Sequence, residues 1–131
     1  MTNLMKPPPE LQRGYKDIKH LGKVAELPCV ACQKRGEAQT SKTQVHHEWG
    51  KGAGKKASDR LTMPLCDKCH NAQFVNSIKG ITLHHNLEKF EERHGTQSEL
   101  IKLTYENLGL FEELEIINKH YDRIEQGLCQ D

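Results

Sequence analysis

Two cysteine pairs constrain this chain more than any other feature. Cys29-x-x-Cys32 and Cys66-x-x-Cys69 are separated by 33 residues. A C-x2-C turn points both sulfurs to one side, and two such turns can close a tetrahedron of thiolates around Zn2+. Two disulfides are the alternative, but the chain reads as cytosolic, where thiols stay reduced, so a structural zinc is expected. The composition asks for such a staple. Only 35% of the 131 residues are hydrophobic and mean hydropathy is −0.77, so a core built from apolar side chains alone would be thin. Cys129, the fifth cysteine, falls outside both pairs and reads as a free thiol.

No apolar run approaches the roughly 20 residues of a membrane span. The stretch MTNLMKPPPELQRGYK has no apolar segment of the kind a secretory signal carries. The expectation is therefore a cytoplasmic protein with no membrane partner. The net charge of +1 hides an asymmetry: residues 1–70 hold 13 Lys and Arg against 7 Asp and Glu, and residues 71–131 hold 6 against 11. A basic first half suits a polyanionic partner. The bland alternative is chance sorting of solvated surface charge. The acidic second half argues against a protein that adheres to nucleic acid over its whole surface.

The pattern along the chain predicts an α+β domain with a helical C-terminal part. Residues 1–14, with Pro7-Pro8-Pro9, read as a flexible arm ahead of a single domain over 15–131. Within that domain a zinc-bearing core spans 27–95 and a helical part spans 96–131. Ile18, Leu21 and Val24 have helical spacing between Tyr15 and Leu27, and Pro28 stops any helix there. Cys29 to Gln44 is short and polar, with turn signals at Arg35-Gly36. Gly50 to Ser58 is a loop by composition, and Leu61 to Leu65 an extended segment. Helices are expected over Asp67–Asn76 and over Ile81–His94, the latter with Leu83, Leu87 and Phe90 on one face and His94-Gly95 as its end. Thr96-x-x-Glu99 has capping-box form before another helix. The last helix, Leu110 to Gln126, carries a core-packing stripe of Leu110, Leu114, Ile117, Tyr121 and Ile124.

The long gap between the knuckles contains VHHEWGKGAGKK, Val45 to Lys56. A four-cysteine zinc site leaves His46, His47 and His70 unused. His70 follows Cys69 directly, so the knuckle sets its direction. Adjacent residues on a strand face opposite sides. One of His46 and His47 can then bind a metal while the other faces a substrate, provided the local backbone bends to bring both near one site. The plainer alternative is zinc ligation alone, with one histidine replacing a cysteine.

These parts carry a resemblance. C-x2-C, His-His, a Gly/Lys loop and then Pro-Leu-Cys-x-x-Cys-His resemble the HNH nucleases, also called ββα-metal or His-Me finger nucleases, and within them the phage Ref family, which acts on DNA coated by the recombinase RecA. The resemblance covers about Leu27 to Leu103. It implies a small zinc-stapled ββα-metal core with added helices. By the resemblance His46 and His70 are ligands of a catalytic metal and His47 is the general base. The family's middle Asn has no match here; the nearest polar residues are Asp59 and, before it, Ser58. The position four residues after His70 is Phe74, which leaves His84 or His85, or a water, as the further ligand.

The chemistry suits these residue types. Hydrolysis of a phosphodiester needs a deprotonated water, a cation beside the developing charge and help for the departing 3′ oxygen. A histidine is half-neutral at about pH 6.5 and can take the proton. Mg2+, Mn2+ or Zn2+ could serve as the catalytic ion. Gly50 to Lys56 then reads as a strand clamp, its glycines allowing close approach and Lys51, Lys55 and Lys56 neutralising phosphates. Arg60 is a further candidate DNA contact. Trp49 could stack on a base or brace the loop root. The expected activity is metal-dependent hydrolysis of DNA, with a RecA-type recombinase filament as a further partner and, for a phage-encoded chain, the bacterial host cytoplasm as its compartment. The alternatives are a non-catalytic zinc-finger nucleic-acid-binding module and a protein-interaction domain acting through its acidic C-terminal helix.

Overall fold

The structure, a computed structural model, describes residues 6–48, 56–70 and 87–128. It is an α+β fold in which a small antiparallel sheet is wrapped by helices. Strand β1 (Thr43–His47) pairs with β2 (Thr62–Cys66), Thr43 lying opposite Cys66 and His47 opposite Thr62. This register sets the two ends of the hairpin apart by about 13 Å, at about 3.3 Å per residue. One end holds the second cysteine knuckle and the other holds the histidine pair.

Ahead of the hairpin lie α1 (Ile18–Ala25) and α2 (Val30–Arg35). Helix α1 begins where the Asp17 carboxylate accepts the His20 N–H at 3.1 Å, a side-chain N-cap. Its buried residues are His20 and Val24. Ile18, expected on the inner face, is 83% exposed. The inward face of the helix is set by His20 and Val24, one turn apart, and the His20 ring stacks on Tyr105 with centroids 5.2 Å apart. Helix α2 lies in the segment read as polar and turn-like. It is too short for periodicity to reveal, and the Cys29 sulfur caps it by accepting the Cys32 N–H at 3.4 Å. Gly36 ends it at φ +70°, a left-handed conformation that costs glycine nothing.

Beyond β2 the chain enters α3 (Asp67–His70) directly. The rest of the segment expected to be helical to Asn76 lies outside the described residues, as does the first part of the one expected over Ile81–His94. Its described part is α4 (Leu87–His94), which buries Phe90 and ends at Gly95 as its sequence indicates. In α5 (Gln97–Leu108) Thr96 Oγ1 accepts the Glu99 N–H at 3.2 Å. In α6 (Phe111–Glu125) the expected stripe is the packed one: Ile117 and Tyr121 are buried, and Leu110, Leu114 and Ile124 lie against the core.

β2 is buried along its whole length. Met63 and Leu65 meet Leu100, Ile101, Tyr105 and Phe90 in one cluster that also contains the four knuckle cysteines. That cluster reaches the segment read as a flexible arm. Its described part is not an extension into solvent: Pro9–Leu11 forms a 3-10 turn and Leu11 is buried at 4% exposure. Leu11 is the one large apolar side chain there that can be covered, and covering it pins the segment to the core.

Candidate functional site

The four knuckle cysteines converge. All are buried, and their sulfurs lie within 4.8 Å of one another. Cys66 Sγ is 3.5 Å from Cys69 Sγ and 3.7 Å from that of Cys32, which is 3.9 Å from Cys69 Sγ. Thiolates at about 2.3 Å from a tetrahedral ion stand about 3.8 Å apart, so these separations suit a metal, and they are far longer than the roughly 2.05 Å of a disulfide. All four thiols are free. Hydrogen bonds from Cys29 and Cys69 hold the Cys66 thiol far below its ordinary value. Burial, with Cys29 and Cys66 alongside, pushes Cys32 up to about 12. Ionising all four calls for a cation among them. Among the described residues this is the one group of three or more metal-ligating side chains, and neither His46 nor His47 joins it.

The histidine pair diverges as strand geometry requires. His46 is buried at 3% exposure, its Nε2 3.4 Å from Gln97 Oε1 at the start of α5. His47 faces the other way, and its Nε2 is 2.8 Å from Asp59 Oδ1. The second carboxylate oxygen of Asp59 accepts the Asp17 N–H at 2.8 Å. Burial raises the Asp59 pKa, but the bonds from His47 and from the Asp17 backbone outweigh it, and the carboxyl sits below its ordinary value. An ionised Asp59 accepts, so His47 donates from Nε2, and in the neutral ring the lone pair then lies on Nδ1.

Arg60, read from sequence as a DNA contact, has partners within the protein. Its Nε is 2.9 Å from Asp17 Oδ2, its guanidinium lies 5.9 Å from the centre of the Tyr15 ring, and its carbonyl accepts the Tyr105 hydroxyl at 2.6 Å. Lys56 is exposed beside the hairpin loop. Trp49, Lys51, Lys55, His84 and His85 lie outside the described residues, and so does the side chain of His70.

A family model described as a protein of unknown function, DUF968, matches residues 3–108. The chain belongs to the DUF968 family. The DUF968 match takes in both knuckles, the hairpin and α5, and stops at the end of α5, so α6 lies beyond it. No curated protein matches the chain. Within this DUF968 chain, three site residues escape sequence reasoning. Asp17 carries a local signal, since Asp directly before an apolar helical pattern is an N-cap, but nothing local ties it to Asp59. Gln97 beside His46, and Glu48, which accepts the Tyr121 hydroxyl, carry no signal at all.

Proposed function

We propose that this DUF968 protein is a zinc-stapled, metal-dependent nuclease of the HNH type that hydrolyses DNA phosphodiester bonds. The observation that carries the reading is the His47–Asp59 pair, 2.8 Å apart at one end of a hairpin whose other end is the four-cysteine cluster. The donor set of four thiolates suits Zn2+ as a structural ion that ties α2 to β2 and α3. An imidazole bonded to a carboxylate through one nitrogen is oriented to take a proton at the other. In this reading Asp59 fills the place of the family's middle Asn.

Water is the nucleophile. His47 Nδ1 takes its proton, the oxygen attacks phosphorus, and the bond to the 3′ oxygen breaks. Asp59 holds the ring in one tautomer and stabilises the imidazolium that forms. His46 and His70 are the residues that would hold a catalytic divalent ion, Mg2+, Mn2+ or Zn2+, with His84 or His85 as further candidates. When bound, such an ion neutralises charge on the phosphate and the leaving oxygen. His46, the first of these residues, is buried beside Gln97. The Lys51, Lys55 and Lys56 loop supplies phosphate contacts, and a RecA-type filament is a candidate partner.

Nicking of supercoiled plasmid in Mg2+ or Mn2+, with and without RecA, tests the reading. Cleavage by the wild type that falls at least about 100-fold in His47→Ala, with zinc content and DNA affinity kept, supports it. Tight DNA binding without cleavage on any DNA form leaves a zinc-finger binding module in its place.

A further inference from the structure

Asp59 lies in the segment 56–61 that leads into β2. The segment's own bonds, from Arg60 N–H to Ser58 Oγ, from Leu61 N–H to the Ser58 carbonyl and from Thr62 Oγ1 to the Asp59 carbonyl, shape its turn but do not reach the Asp59 carboxylate. What surrounds it is the stretch from Glu10 to Asp17. Ser58 Oγ donates to the Glu10 carbonyl at 2.5 Å. The Gly14 N–H donates to the Lys56 carbonyl at 2.9 Å, and the Asp59 N–H donates to the Tyr15 carbonyl at 3.0 Å. The Asp17 N–H then reaches Asp59 Oδ2 at 2.8 Å. Leu11 anchors this stretch in the apolar cluster that contains Ala57 and Leu61. Asp17 is itself fixed twice, by capping α1 through His20 and by its ion pair with Arg60. The Arg60 charge offsets the repulsion that two neighbouring carboxylates would otherwise feel.

We propose that the segment from Glu10 to Asp17 is a strap that positions Asp59 against His47, with Asp17 as its positioning residue. One carboxylate oxygen is tied to the strap, so the other is presented to the imidazole in a single orientation. With the strap lifted, the Asp59 carboxylate rotates and the ring loses its fixed direction. A misplacement of about 1 Å at a reacting group can cost up to about 100-fold in rate. The catalytic use of this geometry rests on the nuclease reading above; the strap itself does not.

Two full-length variants test it: Ser58→Ala, which removes the bond to Glu10 together with the Arg60 N–H bond to the same oxygen, and Leu11→Ala, which loosens the anchor and leaves that turn intact. The readouts are the proton resonance of the His47 Nε2–H in nitrogen-15-labelled protein, zinc content and melting, and kcat and KM for plasmid nicking. Either variant should keep its zinc and remain folded. The imidazole N–H resonance should broaden, and kcat should fall about tenfold with KM unchanged. In an Asp59→Asn background the same substitutions should cost nothing further, because the strap acts through that carboxylate. A full-strength resonance in both folded variants overturns the strap. So does an equal loss of kcat with and without Asp59. If the wild type cleaves no DNA, the nuclease reading fails, and the resonance alone decides the strap.

Discussion

His47 and Asp59 meet across the hairpin loop, Nε2 to Oδ1 at 2.8 Å, while the neighbouring His46 turns the opposite way onto Gln97. One residue step on a strand thus sends two imidazoles into different environments. The outward one is held by a carboxylate that is itself held from behind by the Asp17 N–H. Asp59→Asn keeps the shape but removes the charge and the fixed tautomer. Nicking by Asp59→Asn should fall by about 10- to 100-fold, less than the loss in His47→Ala, with DNA affinity and melting temperature close to wild type. Equal rates in Asp59→Asn and wild type would deny the carboxylate any part in orienting the ring.

The four buried sulfurs predict dependence of the fold on metal. A structural zinc in a site of this kind contributes on the order of 10 kcal/mol. Cys66 is central, within 3.7 Å of Cys32 and 3.5 Å of Cys69. Cys66→Ser should bind less than stoichiometric zinc by atomic absorption and be unfolded or aggregated by circular dichroism. Chelation should unfold the wild type in the same way. A folded, zinc-free variant melting like wild type would refute the staple.

Acid should weaken the fold through His94. Its ring is buried against Phe90, with centroids 4.7 Å apart, and its Nδ1 has no partner among the described residues. Burial, aided by Arg93 and Arg35 and opposed by a bond to the Ala31 backbone and by Glu37, pushes its pKa down to about 4. An unfolded histidine takes up its proton near pH 6.5, so between about pH 6.5 and about pH 4 the unfolded state binds more protons than the folded one. Stability from this source is therefore full above about pH 6.5 and declines as pH falls through that window, by up to about 3 kcal/mol. Urea unfolding of zinc-loaded wild type and His94→Gln at pH 7, 6 and 5 measures it. The variant should show the shallower decline, and parallel declines would remove His94 as the cause.

The loop lysines should act through charge alone. Replacing Lys51, Lys55 and Lys56 together by Gln should weaken binding to any duplex sequence. It should also flatten the dependence of log affinity on log salt by about 0.9 per lost phosphate contact. Fluorescence anisotropy over a salt series gives the slope. A slope like that of wild type would move the DNA to another surface, with Lys16, Lys19 and Lys23 the next candidates. Arg60→Gln should behave differently. It is ion-paired with Asp17, so if that is its role the salt slope should hold while melting temperature drops, and a flatter slope would add Arg60 to the DNA contacts.

Local pattern was enough for much of this molecule. The paired C-x2-C spacing indicates a four-sulfur cluster because two short turns leave their thiols little other choice. The apolar stripe from Leu110 to Ile124, the Thr96 cap and the His94-Gly95 stop were legible for the same reason, since each is a relation among residues within a turn or two of one another. The divergence of His46 and His47 likewise follows from the strand itself. Other features depended on segments far apart in the chain. Asp59 stands near the missing Asn in sequence, but only closure of the hairpin brings its carboxylate to His47. The Asp17 N–H reaches that carboxylate across 42 residues, and Arg60 pairs with Asp17. The Pro-rich segment packs down rather than trailing free because Leu11 finds a place beside Ala57 and Leu61. Hydrogen bonds and burial between distant segments leave no periodic mark on either one. They exist only once the knuckles, the hairpin and α5 have fixed the backbone, and their energy comes from polar groups that would otherwise be buried without partners.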